Sequence, residues 1–207
     1  MGRDLNHFTE GLSAVFQKMA KALKPRAPLS FTYHHNTLEA YLPVAVAILD
    51  AGLTCSATLP CPAEMGASIH INGTGSSIID TVFVCRKTGI VAKKTLAGST
   101  QEIGSIVLED AAELQKGNVR VSPGDIRCIA HGHLTRMAIW NLRGEWDPFR
   151  HTSEKIESVS SWFRNYGSWT EVEKHVKGKP IPARQEKLFF LNENKEKYGV
   201  EDDYIPF

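Results

Sequence analysis

The sequence predicts an α/β fold: parallel strands closed by an antiparallel edge pair, followed by a mainly helical C-terminal region. Three observations carry this. Over the first half of the chain, segments of helical spacing alternate with short β-prone runs, the order that produces parallel pairing. The last two of those runs follow one another with no helix between them, which marks an antiparallel edge. Beyond Lys87 the texture changes to long segments of helical period.

Phe8, Leu12, Val15, Phe16, Met19 and Leu23 recur at helical spacing, with Asn6 as N-cap and Lys24-Pro25 as the stop. The opening segment is thus an amphipathic helix whose apolar face must pack on something. Leu29 to Tyr33 is a short β-prone run. Asn36-Thr37 opens a second helix with Leu38, Tyr41, Leu42, Ala45, Ile48 and Leu49 on its apolar face and Gly52 at its end. Pro43 lies inside that segment and has no N–H to donate, so the helix either starts late, near Leu42, or kinks. Strands are expected from Leu53 to Leu59 and from Ser77 to Arg86, separated by a polar, glycine-bearing stretch. Helices are expected from Ile103 to Lys116 and from Pro123 to Leu142, the second with Ser122 as its cap. From Arg143 the chain is polar and aromatic, with Trp146, Trp162, Phe163, Tyr166 and Trp169, and reads as short helices packed on a larger body. The two prolines between Gly178 and Arg184 mark a linker. The chain divides into an α/β segment, residues 1–95, a helical extension, 96–145, and a polar, aromatic helical tail, 146–207.

With 207 residues, 42% of them hydrophobic, the chain can bury a substantial core. Its net charge of +1 creates no global basic field, so any DNA contact has to come from a local patch. The cysteines, Cys55, Cys61, Cys85 and Cys128, lack the short paired spacing of a metal knuckle or redox motif. Together with an N-terminus unlike a signal peptide and no spanning apolar run, they predict a cytoplasmic protein with reduced thiols and no membrane association.

Tyr33, His34 and His35 stand at the carboxyl end of the first strand, where open α/β sheets place their ligand contacts, and are the candidate substrate-binding residues. Adjacent residues of an extended segment point to opposite faces, so at most one of the two histidines faces a common site. Arg86, Lys87, Lys93 and Lys94 form a basic cluster past the last strand, either a DNA-backbone contact or a solvated loop. His131 and His133 invite a metal reading, but residues two apart on a helix do not face each other, and no metal site is expected. No nucleophile elbow accompanies any cysteine or serine, so no catalytic residue is assigned.

The helix ending Lys24-Pro25, the strand ending Phe31-Thr-Tyr-His-His35, the turn Ala51-Gly-Leu53 and the strand ending Val84-Cys-Arg-Lys87 together resemble one family. It is the C-terminal half of the adenine-specific DNA methylases whose N-terminal half often carries a zinc-ribbon module. The likeness covers residues 5–87 and continues more weakly through Pro123-Gly-Asp125 to Trp140. It implies that residues 1–95 are the C-terminal half of a Rossmann-like methyltransferase domain. It further implies S-adenosylmethionine as methyl donor, an exocyclic amino group of a DNA base as acceptor, and a carboxylate at Glu64 as a further substrate-side candidate or a solvated loop acid.

The departure from the family matters as much. An amino-methyltransferase orients its target amine with an Asp-Pro-Pro-Tyr motif and stacks the flipped base on the aromatic residue. This sequence has no such tetrad and no glycine-rich strand-to-helix turn followed by an acidic residue. In the family the tetrad lies upstream of the helix that begins here near residue 7. The expectation is a fragment or subunit of a DNA amino-methyltransferase, inactive alone and needing a complementary half or self-association to cover its open sheet edge. The alternative is a non-catalytic nucleic-acid-binding or assembly protein derived from the same fold.

Overall fold

The computed structural model describes residues 2–63, 77–87 and 97–179. Its elements are α1 (Gly2–Ala22), β1 (Leu29–Tyr33), a 3-10 turn (Leu38–Tyr41), α2 (Leu42–Asp50), β2 (Leu53–Pro62), β3 (Ile79–Lys87), α3 (Thr100–Lys116), α4 (Pro123–Leu142), α5 (Thr152–Tyr166) and α6 (Trp169–Val176). Among the described residues the chain is α/β, with one three-stranded sheet against which α2, α3 and α4 pack.

The sheet order is β1-β3-β2, and both pairings are antiparallel. This corrects the expected parallel pairing. β1 and β2 do run in the same direction and are joined through a helix, as the alternating pattern predicts. They are not neighbours, because β3 occupies the slot between them. A strand that arrives with no helix before it enters beside β2 antiparallel, and it then presents its other edge antiparallel to β1.

Pro43 sits in the first turn of α2, where its missing N–H costs nothing, so the late start is the outcome rather than the kink. Residues 42–49 are all buried. A helix apolar all round belongs in the centre of a structure, and α2 accordingly packs against α1, α4, α5 and β2. Gly52 has φ +64, the left-handed conformation that ends α2 and turns the chain into β2.

The burial of β3 alternates: Ile79, Thr81, Phe83 and Cys85 are buried, while Asp80, Val82, Val84 and Arg86 are only half-buried. The buried face carries α4, which lies across β2 and β3. At Gly132 the helix comes so close that an added Cβ would be 2.7 Å from Thr81 Cγ2. On β2, Ser56 is an extra residue between Cys55 and Ala57, which pair with Cys85 and Val84. The bulge turns both Cys55 and Thr58 to the buried face, which an unbroken two-residue alternation would not do. It also exposes the Cys55 carbonyl to α4, where Trp140 Nε1 donates to it at 2.7 Å and Arg136 Nε at 3.4 Å.

Asp125 joins the start of α4 to the start of β3. Its carboxylate accepts from the Ser122 amide and hydroxyl, closing a capping box, and from Ser77 Oγ at 2.6 Å and the Ile78 amide at 2.8 Å. Burial alone raises its pKa, but these donors outweigh burial and hold it below the usual carboxylate value. At the other end of α2, Asp50 accepts from Trp146 Nε1 at 3.0 Å and pairs with the buried Lys155 of α5 at 3.0 Å. The aromatic C-terminal segment therefore packs on helices: α5 on α2, α1 and α4, and α6 on α3 and α4. One buried apolar cluster runs from Phe16 in α1 to Val172 in α6, through all three segments of the chain.

The opening helix departs from its expected packing. It buries Thr9, Ser13, Phe16 and Ala20, while Phe8 (53% exposed), Val15 (50%) and Met19 (41%) stay in solvent. Small residues at 9, 13 and 20 let α1 lie close along α2, and that contact sets the helix's rotation. No described helix is long and apolar enough to cross a membrane. The linker expected from residue 178 lies outside the described residues except for 178 and 179.

Candidate functional site at the carboxyl end of β1

The three residues predicted at this strand end each have a partner. Tyr33 donates its hydroxyl to the Ala40 carbonyl at 2.8 Å and meets Tyr41 edge-on at 5.0 Å. His34 Nδ1 lies 2.9 Å from the Ile79 carbonyl and 3.7 Å from Asp80. His35 Nδ1 accepts from the Thr37 amide at 3.1 Å. The two histidines thus diverge, one to β3 and one to its own turn, and all three residues shape the β1-to-α2 connection.

The carbonyl of His35 is where this connection meets α4. Tyr41 Oη lies 3.5 Å from it and Cys128 Sγ lies 3.6 Å away. Behind these groups opens a cavity of about 490 Å³ between the β1-to-α2 turn, α4 and α6. Its walls include Asn36, Glu39, Arg127, His131 and Trp169. The Arg127 guanidinium stands over the Trp169 indole, 5.6 Å from the ring centroid.

His131 is 2% exposed and edge-on to both Tyr41 and Trp169. Burial first, and the nearby Arg127 second, push its pKa down to about 4. The ring is neutral at pH 7 and carries one proton. Its Nδ1 is buried and has no hydrogen-bond partner. A broader hollow of about 670 Å³ lies between the start of α3 and the α5–α6 turn. None of its lining residues holds a buried polar atom without a partner.

His133 leaves α4 toward other partners. Its Nε2 lies 2.8 Å from Asp110 of α3, and its Nδ1 lies 3.0 Å from the Thr58 hydroxyl of β2. A carboxylate, an imidazole and a hydroxyl in series are the parts of an activated nucleophile. Here Thr58 is buried at 5% exposure beneath α4, closed to a substrate, and the trio clamps two helices to the sheet. Among the described residues no group of three or more His, Cys, Asp or Glu side chains is placed to hold a metal ion. Cys55 and Cys85 face each other across β2 and β3 and are buried, and Cys85 is raised in pKa by its contact with Cys55 and by burial.

The basic cluster lies elsewhere. Tyr33 pairs with Thr81 and Leu29 with Cys85, so Arg86 and Lys87 stand at the opposite end of the sheet from Tyr33 and His35. Arg86 donates to the Arg26 carbonyl at 2.7 Å, and Lys87 is exposed. Lys93, Lys94 and Glu64 lie outside the described residues. The β1-to-α2 turn, His34-His35-Asn36-Thr37, has no glycine, and its residues do not fit the glycine-rich cradle of a nucleoside-bearing cofactor.

The sequence-based candidates Tyr33, His34 and His35 lie on the β1-to-α2 connection beside the cavity of about 490 Å³, and Arg127, His131 and Trp169 of its wall were not among the substrate-side candidates. One signal was available: Arg127 and His131 are four apart on one helix and share a face. Trp169 lies far along the chain and carries no such mark. Compared with protein-family models, curated proteins and solved structures, the chain matches none of them.

Proposed function

We propose that this chain supplies the far half of a DNA amino-methyltransferase sheet, with the Asp-Pro-Pro-Tyr tetrad and the S-adenosylmethionine cradle provided from outside these 207 residues. The observation that carries the reading is the uncovered side of the molecule. β1 is a terminal strand, and among the described residues no strand pairs with its outer edge. Beside it, α1 shows Phe8, Val15 and Met19 to solvent, and Phe16 of the same helix meets Phe31 of β1 at 5.0 Å. An open strand edge flanked by an apolar helix stripe is what remains when a larger sheet is divided beside its central strands.

β1, α2 and β2 form a crossover unit whose two strands run in the same direction, with β3 inserted antiparallel between them. On this reading a complementary chain adds its strands to β1 and restores the parallel part of the sheet, and Arg86 and Lys87 contribute to holding the DNA backbone.

The test is complementation. The chain is purified alone, and also co-expressed with a polypeptide carrying the tetrad and cofactor loop of a related methylase; transfer of labelled methyl from S-adenosylmethionine to duplex DNA is then measured. Transfer only by the pair is the expected result. Transfer by the chain alone refutes the divided-enzyme reading. Salt-sensitive DNA binding by the chain with no transfer by the pair favours a non-catalytic nucleic-acid-binding protein.

A further inference from the structure

We propose that a second copy of this chain covers the open side of the molecule, its β1 adding antiparallel to β1 across a two-fold axis and its α1 lying along the exposed stripe of α1. This rests on the same uncovered side as the divided-enzyme reading, and it names the occupant of that side when no complementary half is present. The two terminal strands of the sheet, β1 and β2, differ in how their edges are made. β2 carries Pro60 and Pro62 and bulges at Ser56, features by which natural edge strands avoid further pairing. β1, Leu29-Ser-Phe-Thr-Tyr33, has no charge, no proline and no break in its register. Of the two edges, β1 is the one built to accept a strand.

Pairing with its own copy has one favoured register. Leu29, Phe31 and Tyr33 turn toward the covered face of the sheet, and Ser30 and Thr32 are exposed on the other. A two-fold axis perpendicular to the sheet keeps covered face with covered face, so only residues that face the same way can stand opposite each other. Centring the axis on Phe31, the middle residue, pairs the whole strand: Leu29 with Tyr33, Phe31 with its own copy, and Ser30 with Thr32. Hydroxyls opposite one another are a favourable cross-strand pair. A shift of two residues either way leaves an end of the strand unpaired.

The helix is placed to follow. Phe16 of α1 stands over Phe31 at 5.0 Å. At about 100° per residue, the buried Thr9, Ser13 and Ala20 lie roughly 20–60° to one side of Phe16, and Leu12, Met19, Phe8 and Val15 lie roughly 40–100° to the other. The stripe therefore continues around from the residue over β1, away from α2. Leu5, Phe8, Leu12, Val15 and Met19 are spaced alternately three and four apart, the seam by which one helix packs lengthwise on another. The same two-fold operation brings an identical seam to it. One self-complementary contact thus covers both the strand edge and the helix stripe, as an isologous dimer requires.

Sedimentation equilibrium of the full chain alone, over a wide concentration range, is expected to give twice the mass of one chain. The register is tested by charge. Ser30→Lys with Thr32→Lys sets like charges opposite each other across the axis, and so does Ser30→Glu with Thr32→Glu. Both positions are exposed, so each variant is expected to fold and to dimerise at least tenfold more weakly than the unaltered chain. An equimolar mixture of the two variants is expected to regain the dimer as a mixed pair, because each lysine then meets a glutamate. The mass of the unaltered chain needs no variant, so a poorly folded variant leaves the test standing. A chain that stays monomeric at every concentration, a ladder of larger species, a dimer indifferent to the charges, or variants that dissociate and fail to pair on mixing overturns the proposal. Complementation is read separately. A monomeric chain that still transfers methyl with the complementary half overturns the second copy and keeps the divided enzyme, and a dimer without transfer by the pair does the reverse.

Discussion

His131 and His133 show how two identical side chains, two positions apart, take opposite roles. Each faces a different side of α4, with Gly132 between them pressed on Thr81. His133 is fully partnered and clamps α3 and α4 to β2, while the Nδ1 of His131 is buried without a partner. The depressed pKa of His131 has a consequence for stability. Its folded value, about 4, lies below the ordinary 6.5, so between those limits the unfolded chain binds more protons. Stability therefore falls as the pH falls through that window. At about 1.4 kcal/mol per pKa unit the full effect is on the order of 3 kcal/mol. Urea denaturation at pH 7 and pH 4.5 is expected to show a smaller acid loss in His131→Phe than in the unaltered protein. An equal loss in both proteins excludes His131 as the cause.

At the scale of elements, the contact that positions the site is α4 on β3. Gly132→Ala places a Cβ 2.7 Å from Thr81 Cγ2 and 3.0 Å from its Oγ1, so helix and strand must part. Overpacking of this kind costs about 1–3 kcal/mol. Thr81→Ala removes both clashing atoms, and the double variant is expected to recover part of the loss. Full additivity of the two losses in urea denaturation would show that the two residues do not touch. The extents of the elements were largely legible in the sequence, since their signals are local. Ser122-Pro123 starts α4, Pro43 starts α2 and Gly52 ends it, each through backbone chemistry within one turn. The face that a helix buries is not local. The apolar face expected of α1 is Phe8, Leu12, Val15, Phe16, Met19 and Leu23, yet the helix buries Phe16 with Thr9, Ser13 and Ala20 and leaves Phe8, Val15 and Met19 in solvent. Close approach to α2 decided between the two faces.

At the scale of the whole molecule, the uncovered stripe of α1 and the outer edge of β1 form the surface to which the proposed complementary half adds. Phe8→Asp together with Val15→Asp places charge on that surface without touching the core. Both positions are at least half exposed, so thermal stability is expected to change little, within about 0.5 kcal/mol per substitution. Co-purification with the complementary half is expected to be lost. Retained association would place the interface elsewhere.

The sequence by itself determined the α/β class and the extents of most helices and strands. These follow from hydrophobic period, caps and turn residues, all of which act within a few positions. Only the tertiary structure decided the sheet order, because pairing depends on which slot is open when a strand arrives, and β3 took the place between β1 and β2. It alone decided the composition of the site as well. Arg127, His131 and Trp169 come from two helices, and no short-range pattern joins α4 to α6. Packing of α6 on α4 brings them together and leaves Nδ1 of His131 without a partner.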